Sequence, residues 1–285
     1  MVHVLALAGV LSISFSAIFI RLASVSPVTA TFFRALYALP VLAVVWTAFR
    51  ARDQRTERER AVAVASGVIL AIDLAVWHES IALIGAGLGT VIANVQVVFV
   101  ALAAWIWYGE RPTWRTVGLV GAVLAGVAMT SGLARNDAYG ARPIAGALLG
   151  VLAGATYAAF LLVYRAANRG RAPTVGPLLD STMGMALGAL LCVLVDPGFS
   201  IVPAWPSHAW LVLLAVGSQV IGWLLIGTAL PRLSALETSI MLLGQPVFAV
   251  IWGAVFFAER FSLFQWIGTA VVLGGVLLST RVPEP

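Results

Sequence analysis

The sequence contains no lysine, a single cysteine and three histidines, and only 10% of its 285 residues are charged. Soluble domains carry roughly a quarter charged residues, so this chain cannot assemble a water-exposed globular surface. Without lysine, all 17 positive charges are arginines, set against 12 acidic residues for a net charge of +5. A nucleic-acid module of that sign shows a dense basic face. Here the arginines stand in the gaps between apolar runs, which excludes nucleic acid as a partner. The lone Cys192 rules out an intramolecular disulfide and, inside an apolar run, reads as packing.

What the chain has in abundance is apolar surface, with 61% hydrophobic residues and a mean hydropathy of +1.00. A membrane-crossing helix needs about 20 mostly apolar residues. Runs of that length between arginine, proline and acidic breaks predict ten spans, at 3–21, 27–49, 61–84, 86–109, 114–134, 143–165, 174–196, 207–230, 234–258 and 262–280. A transmembrane barrel would need strands of about 10 alternating residues, and these runs do not alternate. Only Met1, Val2 and His3 precede the first run, so it reads as a retained span rather than a signal peptide. The expected fold class is therefore an all-α integral membrane protein of ten transmembrane helices.

Arginine placement sets the expected orientation. A cytoplasmic N-terminus puts twelve arginines inside, at 50, 52, 55, 58, 60, 111, 115, 165, 169, 171, 232 and 281, and four outside, at 21, 135, 142 and 260. Both termini are then cytoplasmic, in an inner membrane. The 50–60 segment, RARDQRTERER, reads as a solvated topogenic loop because Asp53, Glu57 and Glu59 interleave its arginines.

A shift of 149 residues lays QVVFVALAAWIWYGER (Gln96 to Arg111) over QPVFAVIWGAVFFAER (Gln245 to Arg260), with Gln96/Gln245, Val98/Val247, Phe99/Phe248, Glu110/Glu259 and Arg111/Arg260 identical. Shared hydrophobicity does not explain the polar identities. Pro27 and Arg34 in span two correspond, seven residues apart, to Pro173 and Asp180 in span seven. The chain thus divides into two five-span repeats, 1–134 and 143–285. Because five is odd, the second repeat enters the membrane inverted, a transporter design whose substrate site lies near midplane between the halves.

These features resemble the EamA-type members of the drug/metabolite transporter superfamily over nearly the whole chain. The resemblance is carried by the Pro27 to Arg34 stretch, the span ends Gly109-Glu110-Arg111 and Ala258-Glu259-Arg260, and Gln245-Pro246. Val97 stands where the first repeat would carry the matching proline. The resemblance implies transport of small metabolites, often export of amino acids or related compounds, by alternating access and without a cofactor.

Ionisable groups inside spans are expensive and mark function. Asp73 lies near the centre of span three, with Trp77 one turn later on the same face and His78 and Glu79 around the side. Asp73 reads as a proton-coupling carboxylate or as a structural hydrogen bond, and Trp77 as a cavity aromatic or as packing. His78 reads as a proton relay or as packing. Arg34 and Glu79 sit at similar depths on antiparallel spans, so they read as a fixed ion pair, as an outer gate, or with Arg34 as a clamp for a substrate carboxylate. Asp180 joins them through its correspondence to Arg34. Gln96 and Gln245, as repeat mates, together with Tyr157 and Trp223, complete the expected cavity. Ser12 and Ser16, Thr156, Phe160 and Tyr164, and Gln219 with Trp223 recur at four-residue spacing. Gly85, Gly87 and Gly89, and Gly184 with Gly188, permit close helix approach within the chain or between two copies.

Enzyme motifs are missing. His78-Glu79-Ser80-Ile81-Ala82 has alanine where a zinc-protease motif requires its second histidine, and neither a Gly-x-Ser-x-Gly elbow nor a P-loop occurs. A channel would need a coherent polar lining, which these scattered polar residues do not supply. Cysteines placed in the 50–60 loop and near Ala204 are expected to label from the cytoplasm and from outside respectively, and reversed labelling would overturn the orientation.

Overall fold

The computed structural model describes residues 1–84, 92–109, 111–130, 142–168, 173–257 and 262–279. Gly85, Gly87, Gly89, Glu110, Arg135, Arg169, Arg171, Ala258, Glu259, Arg260 and Arg281 lie outside the described residues. Among the described residues every regular element is helical: α1 (Val2–Ser14), α2 (Ser16–Ala23), α3 (Pro27–Phe49), α4 (Glu57–Ile84), α5 (Gln96–Tyr108), α6 (Trp114–Thr130), α7 (Pro143–Ala167), α8 (Val175–Cys192), α9 (Ser207–Leu213), α10 (Trp223–Ala229), α11 (Ala235–Leu242), α12 (Gly244–Phe257) and α13 (Leu263–Ser279). Six of the described helical stretches are long and apolar enough to cross a membrane: Val2–Ile20, Pro27–Arg52, Glu57–Ser80, Ile144–Ala167, Val175–Val195 and Ser207–Arg232. Shorter apolar helices occur at Gln96–Trp107, Val117–Gly126 and Trp266–Gly275. In lipid only helices satisfy every backbone donor and acceptor within one segment, which is why this composition yields no other element here.

Several expected spans are interrupted rather than straight. The first divides at Phe15, between α1 and α2. The 207–230 span contains a π-helical segment, Leu214–Gly222, between α9 and α10. The 234–258 span breaks at Leu243, three residues before Pro246. Proline has no N–H to bond the carbonyl four residues back, so α11 ends and a new first turn starts. The fourth span breaks too, at Asn94-Val95, with Val97 in the proline's place. The two breaks lie 149 residues apart, as do the bounds of α6 and α13 (114 to 263, 130 to 279).

The helices form two compact units, residues 1–75 with 159–233, and residues 76–158 with 234–285. Each unit takes segments from both halves of the chain. In the first unit α3 packs along α8, and α1 packs on α10 and on the π-helical segment. Small residues set these approaches. A Cβ at Gly184 would overlap the Val64 carbonyl oxygen, one at Gly67 would overlap that of Ser181, and one at Gly188 would lie 2.7 Å from Ala71 Cβ. Gly184 and Gly188 are thus spent inside the chain, against α4, rather than on a second copy. Beside this glycine face α8 turns Met183, Leu187 and Leu190 outward, as lipid contact requires. In the second unit α6 packs along α13, where a Cβ at Gly126 would lie 2.9 Å from Val272 and 3.0 Å from the Gly268 carbonyl oxygen.

The connection between α3 and α4 is held by charge. Arg55 donates from Nε to Asp53 Oδ1 at 2.9 Å and from Nη2 to Asp53 Oδ2 at 2.8 Å. Its Nη1 pairs with Asp180 Oδ2 of α8 at 2.8 Å. Trp46 Nε1 donates to Asp53 Oδ2 at 3.1 Å, and Gly176 permits the approach, since a Cβ there would lie 2.7 Å from Arg55 Nη2. The Arg55 and Asp53 side chains are 2% and 1% exposed. Hydrogen bonds from Arg55 hold the Asp53 carboxyl well below the usual carboxylate range. The loop that reads in sequence as merely solvated is therefore docked onto α8.

Two outcomes follow. Gly184→Leu must separate α4 from α8, at a cost of about 1–3 kcal/mol or more, and should lower the thermal midpoint of the purified protein more than Gly121→Leu, where a Cβ meets nothing. Because its native pKa is depressed, the Asp53 carboxylate contributes stability above the unfolded value near ~3.9, and that contribution is lost as pH falls toward the depressed native value. Asp53→Asn should therefore destabilise at pH 7 and flatten the acid limb of a midpoint-against-pH curve.

Candidate functional site

Within the membrane-spanning helices of the first unit a cation is buried at Arg34, 7% exposed in α3. Its Nε donates to Gln219 Oε1 at 2.8 Å. Gln219, 2% exposed, lies in the π-helical segment, and its Nε2 donates to Thr182 Oγ1 of α8 at 3.1 Å. The Thr182 hydroxyl in turn donates to the Leu178 carbonyl at 2.7 Å. These bonds have one consistent polarity. A hydroxyl has a single proton, so with that proton on Leu178 its oxygen accepts from the Gln219 amide NH2, which leaves the Gln219 carbonyl facing the guanidinium. Three elements of the unit, α3, the π-helical segment and α8, are joined through neutral acceptors and one cation.

The π-helical segment is itself supported by α1. Ser12 Oγ donates to the Gly217 carbonyl at 2.8 Å, re-satisfying a backbone group in a stretch of altered register. Close contact is possible because a Cβ at Gly9 would lie 2.9 Å from the Gly222 carbonyl oxygen. Beyond that segment Trp223, 3% exposed, meets Phe160 and Tyr164 of α7 edge-on, with centroids 5.0 and 5.7 Å apart. Among the described residues the buried Tyr164 hydroxyl and Trp223 Nε1 find no hydrogen-bond partner. Elsewhere in the unit, Tyr37 Oη and His208 Nδ1 lie 2.6 Å apart, with the His208 ring edge-on to Phe33.

Asp73 is buried, 6% exposed, in the part of α4 that belongs to the first unit. Asp180 sits in the Arg55 network, and Arg34 Nε has Gln219 as its partner. Trp77, His78 and Glu79 belong to the second unit: the Trp77 and His78 rings are 5.0 Å apart and Glu79 is exposed. In the same unit Tyr157 is half-buried on α7. Gln96 is buried at the start of α5, facing α7, since a Cβ at Gly154 would lie 3.1 Å from its backbone nitrogen. Gln245 is half-buried at the start of α12, so both glutamines open helices that follow a break. Ser80 Oγ donates to the Gly146 carbonyl at 2.8 Å, tying α4 to α7. Among the described residues no three His, Cys, Asp or Glu side chains gather as metal ligands would.

Sequence reasoning did not single out Thr182, Arg55 or His208. Thr182 is one of several apolar-flanked hydroxyls. The one signal for it is that Asp180 and Thr182, two apart on a helix, lie well round from one another, so a functional Asp180 leaves Thr182 to face a different neighbour.

The helical architecture is shared with a known protein. A crystal structure of a protein superposes with a TM-score of 0.81 at 19% identity, covering 98% of this chain and 98% of that chain. An uncharacterized transporter of Archaeoglobus fulgidus is 26% identical over 136 residues, 48% of each chain, so the alignment spans about half the length of that relative. The model of the EamA-like transporter family matches residues 1–132 and again residues 144–281. With apolar helices long enough to cross a bilayer and both stretches matched, this integral membrane protein belongs to the EamA-like transporter family.

Proposed function

We propose that the protein is a secondary transporter of small organic metabolites that works by alternating access, with export of amino acids or related compounds as its task. In this reading ten spans form two inverted five-helix repeats, 1–134 and 143–285, in an inner membrane with both termini cytoplasmic. The observation that supports the substrate class best is the oriented Arg34 side chain, fixed at Nε by Gln219. A guanidinium held in one plane by a neutral acceptor is suited to bidentate recognition of a carboxylate. Within the first unit Trp223 is the proposed aromatic cavity residue; within the second, Trp77 and Tyr157 are the proposed aromatic residues and Gln96, Gln245 and His78 the polar ones. Glu79 and Asp180 act at the gates.

Asp73 carries the coupling in this proposal. A carboxylate buried in a span is disfavoured when ionised, so opening to water favours the charged form and occlusion favours the neutral one. Asparagine keeps the shape and most of the hydrogen bonding while removing titration. In proteoliposomes the wild type should show saturable counterflow of a radiolabelled amino acid. Asp73→Asn should retain counterflow while losing accumulation driven by a pH gradient. Full uphill transport by Asp73→Asn with unchanged pH dependence would remove the coupling role. The absence of saturable counterflow across an amino-acid panel would remove the substrate class.

A further inference from the structure

We infer that the Tyr164 hydroxyl and the Trp223 indole N–H form a donor pair for a carboxylate of the transported solute, at the end of the first unit where the α3–α4 connection docks. The inference rests on the transport reading above and adds the groups that meet the solute at that end. Tyr164 is 0% and Trp223 3% exposed, and among the described residues neither donor has an acceptor. A buried donor left unpaired forfeits its hydration without return, and folded cores rarely leave one so. Here two stand on rings in edge contact, with centroids 5.7 Å apart. The acceptors beside them are engaged. Asn168 follows Tyr164 by one turn, and its Nδ2 donates to the Gly227 carbonyl of α10 at 2.6 Å. The Tyr164 hydroxyl reaches the same residue, since a Cβ at Gly227 would lie 3.0 Å from it. One turn earlier the Leu224 carbonyl accepts from Thr228 Oγ1 at 2.6 Å. That Cβ would also touch Thr174, and two residues on Gly176 faces Arg55, which places the pair at the loop end of the unit.

Donor chemistry selects the ligand. An indole N–H donates and never accepts, so its partner is an acceptor and not the ammonium group of a solute. A carboxylate carries lone pairs for both donors at once, and hydrogen bonds to an ionised acceptor are the stronger kind. Apolar ring walls with few polar groups are the usual lining of a small-molecule site. Phe160 supplies such a wall, stacked on Tyr164 with centroids 5.7 Å apart and edge-on to Trp223. Access follows from how the helices meet. α10 lies backbone-close to α1, where a Cβ at Gly9 would lie 3.0 Å from the Ile226 nitrogen. From α7 it is the side chains of Phe160, Tyr164 and Asn168 that reach α10. Parting α7 from α10 breaks the Asn168 bond and none made by the two donors, which then meet the solute.

Two readouts on the purified full-length protein test the pair. The first is the thermal midpoint without ligand. Tyr164→Phe removes an unpaired hydroxyl and should leave the midpoint at or above the wild-type value. Ser12→Ala removes a hydroxyl that donates to the Gly217 carbonyl and should lower it. The second is the Trp223 indole N–H resonance in 15N-tryptophan-labelled protein, identified by its loss in Trp223→Phe. Phenylpropionate, a carboxylate without an ammonium, should move that resonance downfield, and amino acids should do the same. Phenylpropylamine should not. Tyr164→Phe should raise the half-saturating phenylpropionate concentration by about tenfold, the scale of one hydrogen bond to a charged group. A midpoint lowered by Tyr164→Phe as by Ser12→Ala would overturn the inference, because the hydroxyl would then have a structural partner. An unmoved Trp223 resonance across the phenylpropionate and amino-acid titrations would overturn it too; with counterflow intact, the transport reading stands without the pair. If carboxylates move the resonance but no amino acid shows saturable counterflow, the donor pair stands and the substrate class of the proposed function falls.

Discussion

The approach of α8 to α4 at Gly67, Gly184 and Gly188 is the contact through which much of the first unit is arranged. Helices in lipid gain little from burying apolar surface against one another, because the tails are equally apolar, and association relies on close packing and polar contacts. With side chains absent at these three positions, the two backbones come within reach of each other's carbonyls. Three successive residues of α8 then point to three different neighbours, as rotation of about 100° per residue dictates. Asp180 reaches Arg55, Ser181 meets the Ser66 hydroxyl at 3.0 Å, and Thr182 meets Gln219. Displacing α8 from α4 would disturb all three at once.

Charge is distributed within this unit by what each partner can neutralise. Arg55 sits between two carboxylates and keeps a bidentate partner in Asp53 whatever Asp180 does. A buried cation stripped of every partner is costly, and this doubling removes that cost from any movement of α8. Arg34 is treated differently, since its Nε is met by a neutral amide.

Much of the architecture was legible from composition and run length. The expected span 27–49 coincides with α3, and 114–134 and 262–280 begin within a residue of α6 and α13. What run length does not reveal is interruption. The π-helical segment and the break at Leu243 occur inside predominantly apolar runs, where hydropathy is blind to hydrogen-bond register; only Pro246 signalled one of them. The candidate residues were legible as types more than as partners. Depth along a span says nothing about azimuth, so the Arg34 Nε bond to a glutamine 185 residues away is not readable from it. Gly184 and Gly188 read by default as packing, with a contact between two copies as the lesser alternative, because a small-residue stripe records closeness and not identity.

The interruptions themselves carry the final step. Non-helical backbone within a bilayer is tolerated only where other groups satisfy it, so each break needs local polar support. The π-helical segment has Ser12 at Gly217 and carries Gln219. The breaks at Asn94-Val95 and Leu243 immediately precede Gln96 and Gln245, the polar pair that the 149-residue shift superposes. Proline accompanies only the second break, so proline is not what the two share. They share a helix that restarts with a glutamine in its first turn; at α5 the opening N–H groups of Val97 and Val98 donate to the Asn94 and Val95 carbonyls of the turn before it. Each restart therefore seats a side-chain amide at the point where the helical register changes, and at α5 the tightened turn satisfies its own opening donors.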